Sequence, residues 1–171
     1  LNGVASGFIT IASFALTISL IILQNYEIAI ATLCLAFASL AFYKYHKFPS
    51  RIFPGDSGAL TFGATYGVIA IVGHVEVIAA IAILPAIINS FLFLSSVKKI
   101  TEHREIKNPV SHTDDFKLKT GDYKNAPITL VRLIIAKRPL SEKQIVTEIF
   151  RLGIFSGVLA IITAFLMGVE V

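Results

Sequence analysis

Charged side chains are what this sequence has least of. Only 15% of its 171 residues are Asp, Glu, Lys or Arg, 55% are hydrophobic, and the mean hydropathy is +0.77. A soluble domain carries about 25% charged residues, so a wholly water-facing surface is excluded and lipid must cover much of the apolar area. The single cysteine, Cys34, lies inside an apolar run and excludes an internal disulfide. The chain opens at Leu1 with no Met, no basic segment and no cleavage site. It is therefore not expected to open with a signal peptide, and it is expected to be a fragment of a longer protein. No zinc-type Cys/His pattern, Walker loop, G-x-S-x-G elbow or dinucleotide fingerprint occurs. A net charge of +4 could suggest nucleic acid, but the long basic loop 98–147 holds no aromatics beyond Phe116 and Tyr123. An excess of Lys and Arg on one side of a membrane accounts for the charge.

The few charges that are present mark segment ends. No Asp, Glu, Lys or Arg precedes Glu27, so Val4 to Leu23 offers about 20 residues, enough to cross about 30 Å of hydrocarbon. Further apolar runs cover 28–43, 57–73 and 77–97, and a last one ends at Val169. Tyr43 and Tyr45 suit interfacial anchors, and His46 and His74 are expected at the interface as well. Gly73 suits a helix stop before a tight turn at His74-Val75-Glu76. The predicted architecture is an all-α, polytopic transmembrane helix bundle forming one domain over 1–171. Its five spans lie at about 4–23, 28–43, 57–73, 77–97 and 148–169, with loops at 44–56 and 98–147. Alternating the sides puts 3 basic residues in 44–56 and 12 in 98–151, which is all 15, whereas the opposite turns carry Glu27, Glu76 and Glu170. The positive-inside rule makes the basic side cytoplasmic.

Within the spans, Gly58, Gly63 and Gly67 recur with Ala64 beside them. That spacing fits either close approach of another helix or the ordinary glycine content of membrane helices. Pro85 should kink the fourth span, and Asn89 needs a polar partner. The long hydrophilic stretch holds a small β-like element. Lys117 to Asp122 resembles a hairpin turn, and Ile128 to Ile135 is rich in β-branched residues. Ser141 and Gln144 have capping-box spacing, so the last helix should start there and run on into the membrane.

Two clusters could carry chemistry. In Phe48-Pro49-Ser50-Arg51-Ile52-Phe53-Pro54-Gly55-Asp56, two prolines and a glycine deliver the Asp56 carboxylate to the mouth of the third span. Asp56 either caps that helix, as Ser57 also could, or ligates a hard cation together with substrate phosphate oxygens. The second cluster, Glu102 to Pro109, is either a solvated loop or an anion site at the membrane surface. His112, Asp114 and Asp115 are of metal-ligand type, but their spacing reads as a solvated turn.

These two clusters resemble a known family, the polyprenyl-phosphate N-acetylhexosamine-1-phosphate transferases. Within it the chain is most like the archaeal and eukaryotic enzymes that use UDP-N-acetylglucosamine and dolichyl phosphate. Leu1-Asn2-Gly3, with Gly7, resembles the end of an A-G-x-N-G-x-x-x-G motif, and Phe48 to Asp56 resembles P-S-R-[IV]-F-x-G-D. Gly73-His74, Pro85…Asn89 and His103-Arg104 fall at matching offsets, and Thr129 to Glu142 resembles the eukaryotic-type tail. The His-rich loop of the bacterial peptidoglycan enzyme is absent. The likeness covers the C-terminal half of the family's architecture. Glu102 departs from it, standing where an Arg usually contacts pyrophosphate; Lys99 or Lys107 could supply that charge.

The resemblance implies transfer of N-acetylglucosamine-1-phosphate from UDP-GlcNAc to a polyprenyl or dolichyl phosphate, with release of UMP. It implies Asp56 as the catalytic ligand of Mg²⁺ or Mn²⁺, Phe53 stacked on uracil, and Asn2 at the edge of the base. His103 and Arg104 would read the sugar and its phosphate. It further implies a homodimer whose active face is cytoplasmic, in an archaeal cell membrane or the endoplasmic reticulum, and a fragment inactive by itself. Two readings from other classes remain. A transporter segment would place ionisable groups near the midplane of the membrane, which these spans lack. A non-catalytic membrane subunit would tolerate the loss of Asp56.

Overall fold

Apolar runs bounded by turn residues fold as helices over most of the described residues. The computed structural model describes residues 1–97, 110–112, 117–120 and 127–169. Helix α1 covers Val4–Ile22, α2 Tyr26–His46, α3 Gly55–Val72, α4 Glu76–Ala82 and α5 Leu84–Val97. Strands β1 (Val110–His112) and β2 (Leu118–Thr120) follow, then the short α6 (Leu130–Ile134) and the 28-residue α7 (Glu142–Val169). The chain divides into two units, Leu1–Leu84 with Ile149–Val171, and Pro85–Glu148.

Three of these helices, α1, α2 and α7, are long and apolar enough to cross a membrane, and the pair α4 and α5 makes a fourth if it forms one broken span. The 18-residue α3 falls short of the same test among the described residues. Its first half, with Asp56, Ser57, Thr61 and three glycines, dilutes the apolar character. The expected continuous span 77–97 is instead interrupted at Ile83, between α4 and α5. Pro85 supplies the reason: it has no N–H to give, and its ring crowds the carbonyl four residues earlier.

In the first unit, α1 is the central helix. Its Ile9, Ala12, Leu16 and Leu20 pack with Ala29 and Leu35 of α2, Tyr66, Ile69 and Ala70 of α3, Ile78, Ala79 and Ala82 of α4, and Ala160 and Ala164 of α7. Tyr66 keeps its hydroxyl satisfied in this core by donating to the Ala79 carbonyl, 3.0 Å away. A side chain at Gly153 would come within 3.1 Å of Phe8, and one at Gly157 within 3.0 Å of Ala15. Glycines four apart on α7 thus let it lie close against α1. By contrast, Gly63 and Gly67 of α3 have nothing within 4 Å where a Cβ would stand.

The turns differ slightly from expectation. Gly73 does end α3, but with φ −81° it is right-handed, and His74 takes the left-handed conformation at φ 53°. The glycine is needed for space: a Cβ there would meet Ile28 and the Ile69 carbonyl at 3.0 Å.

In the second unit, β1 and β2 pair antiparallel, Val110 opposite Thr120. Leu118 also bridges Leu140 through hydrogen bonds of 2.8 and 3.1 Å. Leu118 to Thr120 are therefore strand rather than turn. Residues 130–134, within the expected β-rich segment, are helical, because Thr129 caps them by accepting from the Arg132 N–H at 3.2 Å. The Asn89 Oδ1 finds its partner there, accepting from the Leu130 N–H at 2.8 Å. The capping box forms as predicted. The Ser141 N–H donates to the Gln144 Oε1 at 3.0 Å, and the Gln144 N–H points back to the Ser141 Oγ at 3.4 Å.

Candidate functional site at one end of the first unit

The site begins with a turn that only glycine adopts easily. Gly3, at φ 84°, starts α1 just after Asn2. A Cβ at Gly3 would lie 2.9 Å from the Tyr43 ring and 3.2 Å from the Lys47 Cα. The first residues of the chain are thus seated on the last turn of α2. Asn2 itself is half-buried and engaged in an interaction of its own. Tyr43 is half-buried, its ring 5.8 Å from that of Phe150.

One turn into α1, Ser6 is fully buried and its Oγ lies 2.8 Å from the Nδ1 of His46. His46 is only 3% exposed. The histidine expected at the interface is thus packed among neighbouring side chains at the end of α2. The ring points toward α1 because Ser6 offers it a polar partner, and a buried imidazole requires one. One turn farther along, the Thr10 hydroxyl donates to the Ser39 Oγ at 2.9 Å, extending a polar seam between α1 and α2.

His46 also touches the loop that leads into α3. Its ring packs edge-to-face with Phe42 at 5.7 Å and with Phe53 at 5.9 Å. Phe53 is 66% exposed, so the rest of its ring is free to stack on a planar ligand. Gly55, with φ 61°, then turns the chain into α3, and Asp56 follows in the first helical turn. Pro54, not Asp56 or Ser57, occupies the cap position, and no side-chain cap hydrogen bond forms. The capping role considered for Asp56 is thus not used. Its carboxylate is exposed beside a helix N-terminus.

Of the sequence-selected residues, Phe53 is linked through His46 to Ser6 near the start of α1, Asn2 directly precedes α1, and Asp56 lies three residues beyond Phe53 in the first turn of α3. His103 and Arg104 lie outside the described residues, as do Lys99, Glu102, Lys107, Asp114 and Asp115. Among the described residues, no group of three or more His, Cys, Asp or Glu side chains is placed to hold a metal. Ser6 and His46 were not singled out from sequence. The available signal was the fall of Ser6 within the glycine-bracketed opening segment.

Comparison with known proteins bears on this end of the molecule. Residues 1–74, which include α1, α2, the Phe53 loop and α3, match the model of glycosyl transferase family 4. Over 164 residues the chain is 32% identical to a protein of Methanocaldococcus jannaschii assigned provisionally as a glycosyltransferase, covering 94% of this chain and 52% of that one. It is 43% identical over 53 residues to a phospho-N-acetylmuramoyl-pentapeptide-transferase of Clostridium beijerinckii, which is 31% of this chain and 16% of the relative. A second such transferase, from Prochlorococcus marinus subsp. pastoris, is 29% identical over 171 residues, covering 95% of this chain and 43% of its own. The chain spans about half the length, or less, of the curated relatives it matches.

Proposed function

We propose that this chain is part of a family 4 membrane transferase that moves a sugar-1-phosphate from a nucleotide donor to a polyprenyl phosphate. The observation that carries the reading is the Ser6–His46–Phe53 chain, which joins the opening segment to the loop that ends in Asp56. In the finer form of the proposal, the donor is UDP-N-acetylglucosamine and the acceptor a dolichyl-type polyprenyl phosphate. An oxygen of the lipid phosphate attacks the phosphorus bonded to the sugar. The bond from that phosphorus to the bridging oxygen breaks, and UMP leaves with the electron pair. Phe53 stacks on the uracil and Asn2 holds its edge, while His103 and Arg104 read the sugar and its phosphate.

An exposed carboxylate at a helix start suits Mg²⁺, which is commonly held by one or two carboxylates together with substrate phosphate oxygens. Asp56 would hold the ion, which supplies neutralisation of the charge on the pyrophosphate. In the full-length enzyme, Asp56→Asn should lower UMP release by roughly 10²–10³-fold while the protein remains folded. Unchanged release would remove Asp56 from catalysis and favour a non-catalytic membrane subunit.

A second donor reading draws on the named relatives that act as phospho-N-acetylmuramoyl-pentapeptide-transferases. In that reading the donor is another UDP-N-acetylhexosamine used for an envelope polysaccharide. A panel of UDP-sugars assayed on the full-length enzyme separates the two, UDP-GlcNAc being the expected preference.

The proposal also includes five spans in a single transmembrane domain, with α3 as one of them and the basic loops cytoplasmic. The segregation of Lys and Arg supports it. Cysteine placed at Glu27 should be labelled by a membrane-impermeant maleimide from outside intact cells, and cysteine at Lys137 only after permeabilisation. The reverse pattern would invert the orientation.

A further inference from the structure

Pro127 to Ala136 is the apolar part of an otherwise hydrophilic connection. The stretch holds a single charge, Arg132, and Lys137 and Arg138 follow at once. It runs beside α5, a helix without a charged residue. Together with α4, α5 is apolar enough to form a broken membrane span. Its own packing is sparse: Pro85 is its one buried residue, while Phe91 is 72% and Leu94 53% exposed.

Two hydrogen bonds strap the stretch to α5. The Ile128 N–H donates to the Ser96 Oγ at 3.0 Å, and the Leu130 N–H to the Asn89 Oδ1 at 2.8 Å. Ser96 lies near the end of α5 that Lys98 and Lys99 follow, and Asn89 about two turns earlier. The strap therefore leads away from the charged end of the helix and into the apolar run. Beyond it the backbone closes on itself. The Arg132 N–H donates to the Thr129 Oγ1, and the N–H groups of Leu133, Ile135 and Ala136 donate to the carbonyls of Thr129, Val131 and Leu133. A solvated loop could leave such donors to water. Backbone in an apolar phase must be satisfied by the protein, as this one is. The side chains left facing outward from the stretch include Ile128 and Leu133, both exposed.

We propose that residues 128–136 are embedded in the bilayer interface alongside α5, with Ile128 and Leu133 against lipid acyl chains. Lys137 and Arg138, both exposed, stand at the level of the headgroup phosphates. Lipid is the fitting occupant because the stretch continues the exposed apolar surface of α5, and because cations follow the apolar residues without a gap. The connection before α7 is thus a wedge held in the membrane by Asn89 and Ser96, rather than a loop in water. The inference rests on the membrane character of the chain and not on the transferase reading, and its test reads location instead of activity.

The test uses the full-length protein in nanodiscs of phosphatidylglycerol and phosphatidylcholine, with Cys34 and any other cysteine replaced by serine. A nitroxide is attached in turn at Ile128→Cys, Leu133→Cys and Arg138→Cys. Its relaxation is measured with oxygen, which concentrates in hydrocarbon, and with a nickel chelate, which stays in water. Oxygen should have the larger effect at 128 and 133, and the nickel chelate at 138. Asn89→Leu, which takes the acceptor from the Leu130 N–H, should raise the nickel effect at 133. If that variant does not fold, the three labelled positions still decide. A nickel effect exceeding that of oxygen at 128 or 133 would make the stretch a solvated loop and overturn the proposal. Weak effects of both reagents there would put another part of the protein, or a second copy, over it and would overturn the proposal equally.

Discussion

Helices α1 and α3 carry similar complements of small residues and use them in opposite ways. In α1, Ser6, Gly7, Ala12, Ser13 and Ala15 are all buried against neighbouring helices. In α3, Gly63, Ala64 and Thr65 are exposed, and Gly63 and Gly67 have open space where side chains would stand. Glycine and serine counts are therefore not evidence of packing on their own. A small residue matters when a second helix is already against it, as Phe150 and Tyr43 are against Gly7. The sealed helix fixes where its own first turn sits, with Gly3 against Tyr43 and Lys47 of α2. The open helix presents Asp56 at its exposed start.

The largest effect expected from breaking this contrast is at Gly3. Gly3→Val imposes a β-branched side chain on a φ of 84° and brings a Cβ to 3.2 Å from the backbone of Lys47. The left-handed conformation alone costs about 1–2 kcal/mol for a residue with a Cβ, and overpacking adds about 1–3 kcal/mol. A strongly lowered unfolding midpoint in detergent is the expected result; an unchanged midpoint would mean that the first turn is not seated on α2. His46→Leu comes next. It leaves the buried Ser6 hydroxyl without its partner, a cost of about 1–3 kcal/mol. It also removes the edge-to-face support of Phe53, so if Phe53 stacks on a nucleotide base as proposed, nucleotide affinity of the full-length protein should fall along with stability.

The same contrast shows how much could be read without coordinates. Helices α1, α2 and α7 were legible because long apolar runs leave a membrane helix few alternatives. The turn that delivers Asp56 to the start of α3 was legible because two prolines and a glycine precede it. His46 was not, since a lone histidine between Lys44 and Lys47 has the local look of an interfacial residue. Its burial depends on a serine 40 residues away. The segment 128–135 was read toward strand from its β-branched residues, but the Thr129 cap overrides that preference for five residues. Pro85 announced a kink, and the outcome is a full break at Ile83.

The open face of α3 offers an intermediate effect of opposite sign. With nothing within 4 Å of either position, Gly63→Ala/Gly67→Ala should stabilise this chain by up to about 1 kcal/mol per site, the helix-propensity difference between glycine and alanine. Loss of stability in a longer protein would show instead that another helix covers the face. At the far end of α7, Ser141→Ala removes the reciprocal cap with Gln144 and should cost about 1 kcal/mol. Hydrogen exchange should quicken in the first turn of that helix and nowhere in α1.

The smallest effect is expected at the most deeply sealed hydroxyl. Ser13 is buried within α1, and its Oγ has no hydrogen-bond partner among the described residues. Its neighbours on the polar seam escape this cost. Thr10 reaches the Ser6 carbonyl and Ser39, and Thr17 reaches the Ser13 carbonyl at 2.8 Å. An unpaired buried hydroxyl is penalised by about 1–3 kcal/mol, while alanine fits the same volume and favours the helix. Ser13→Ala should therefore be neutral or raise stability by about 1 kcal/mol. A clear loss on Ser13→Ala in the full-length protein would indicate that this hydroxyl bonds to a group from outside the described residues. In that case the seam between α1 and α2 would extend to a further helix, and α1 would share the unfinished character seen on α3.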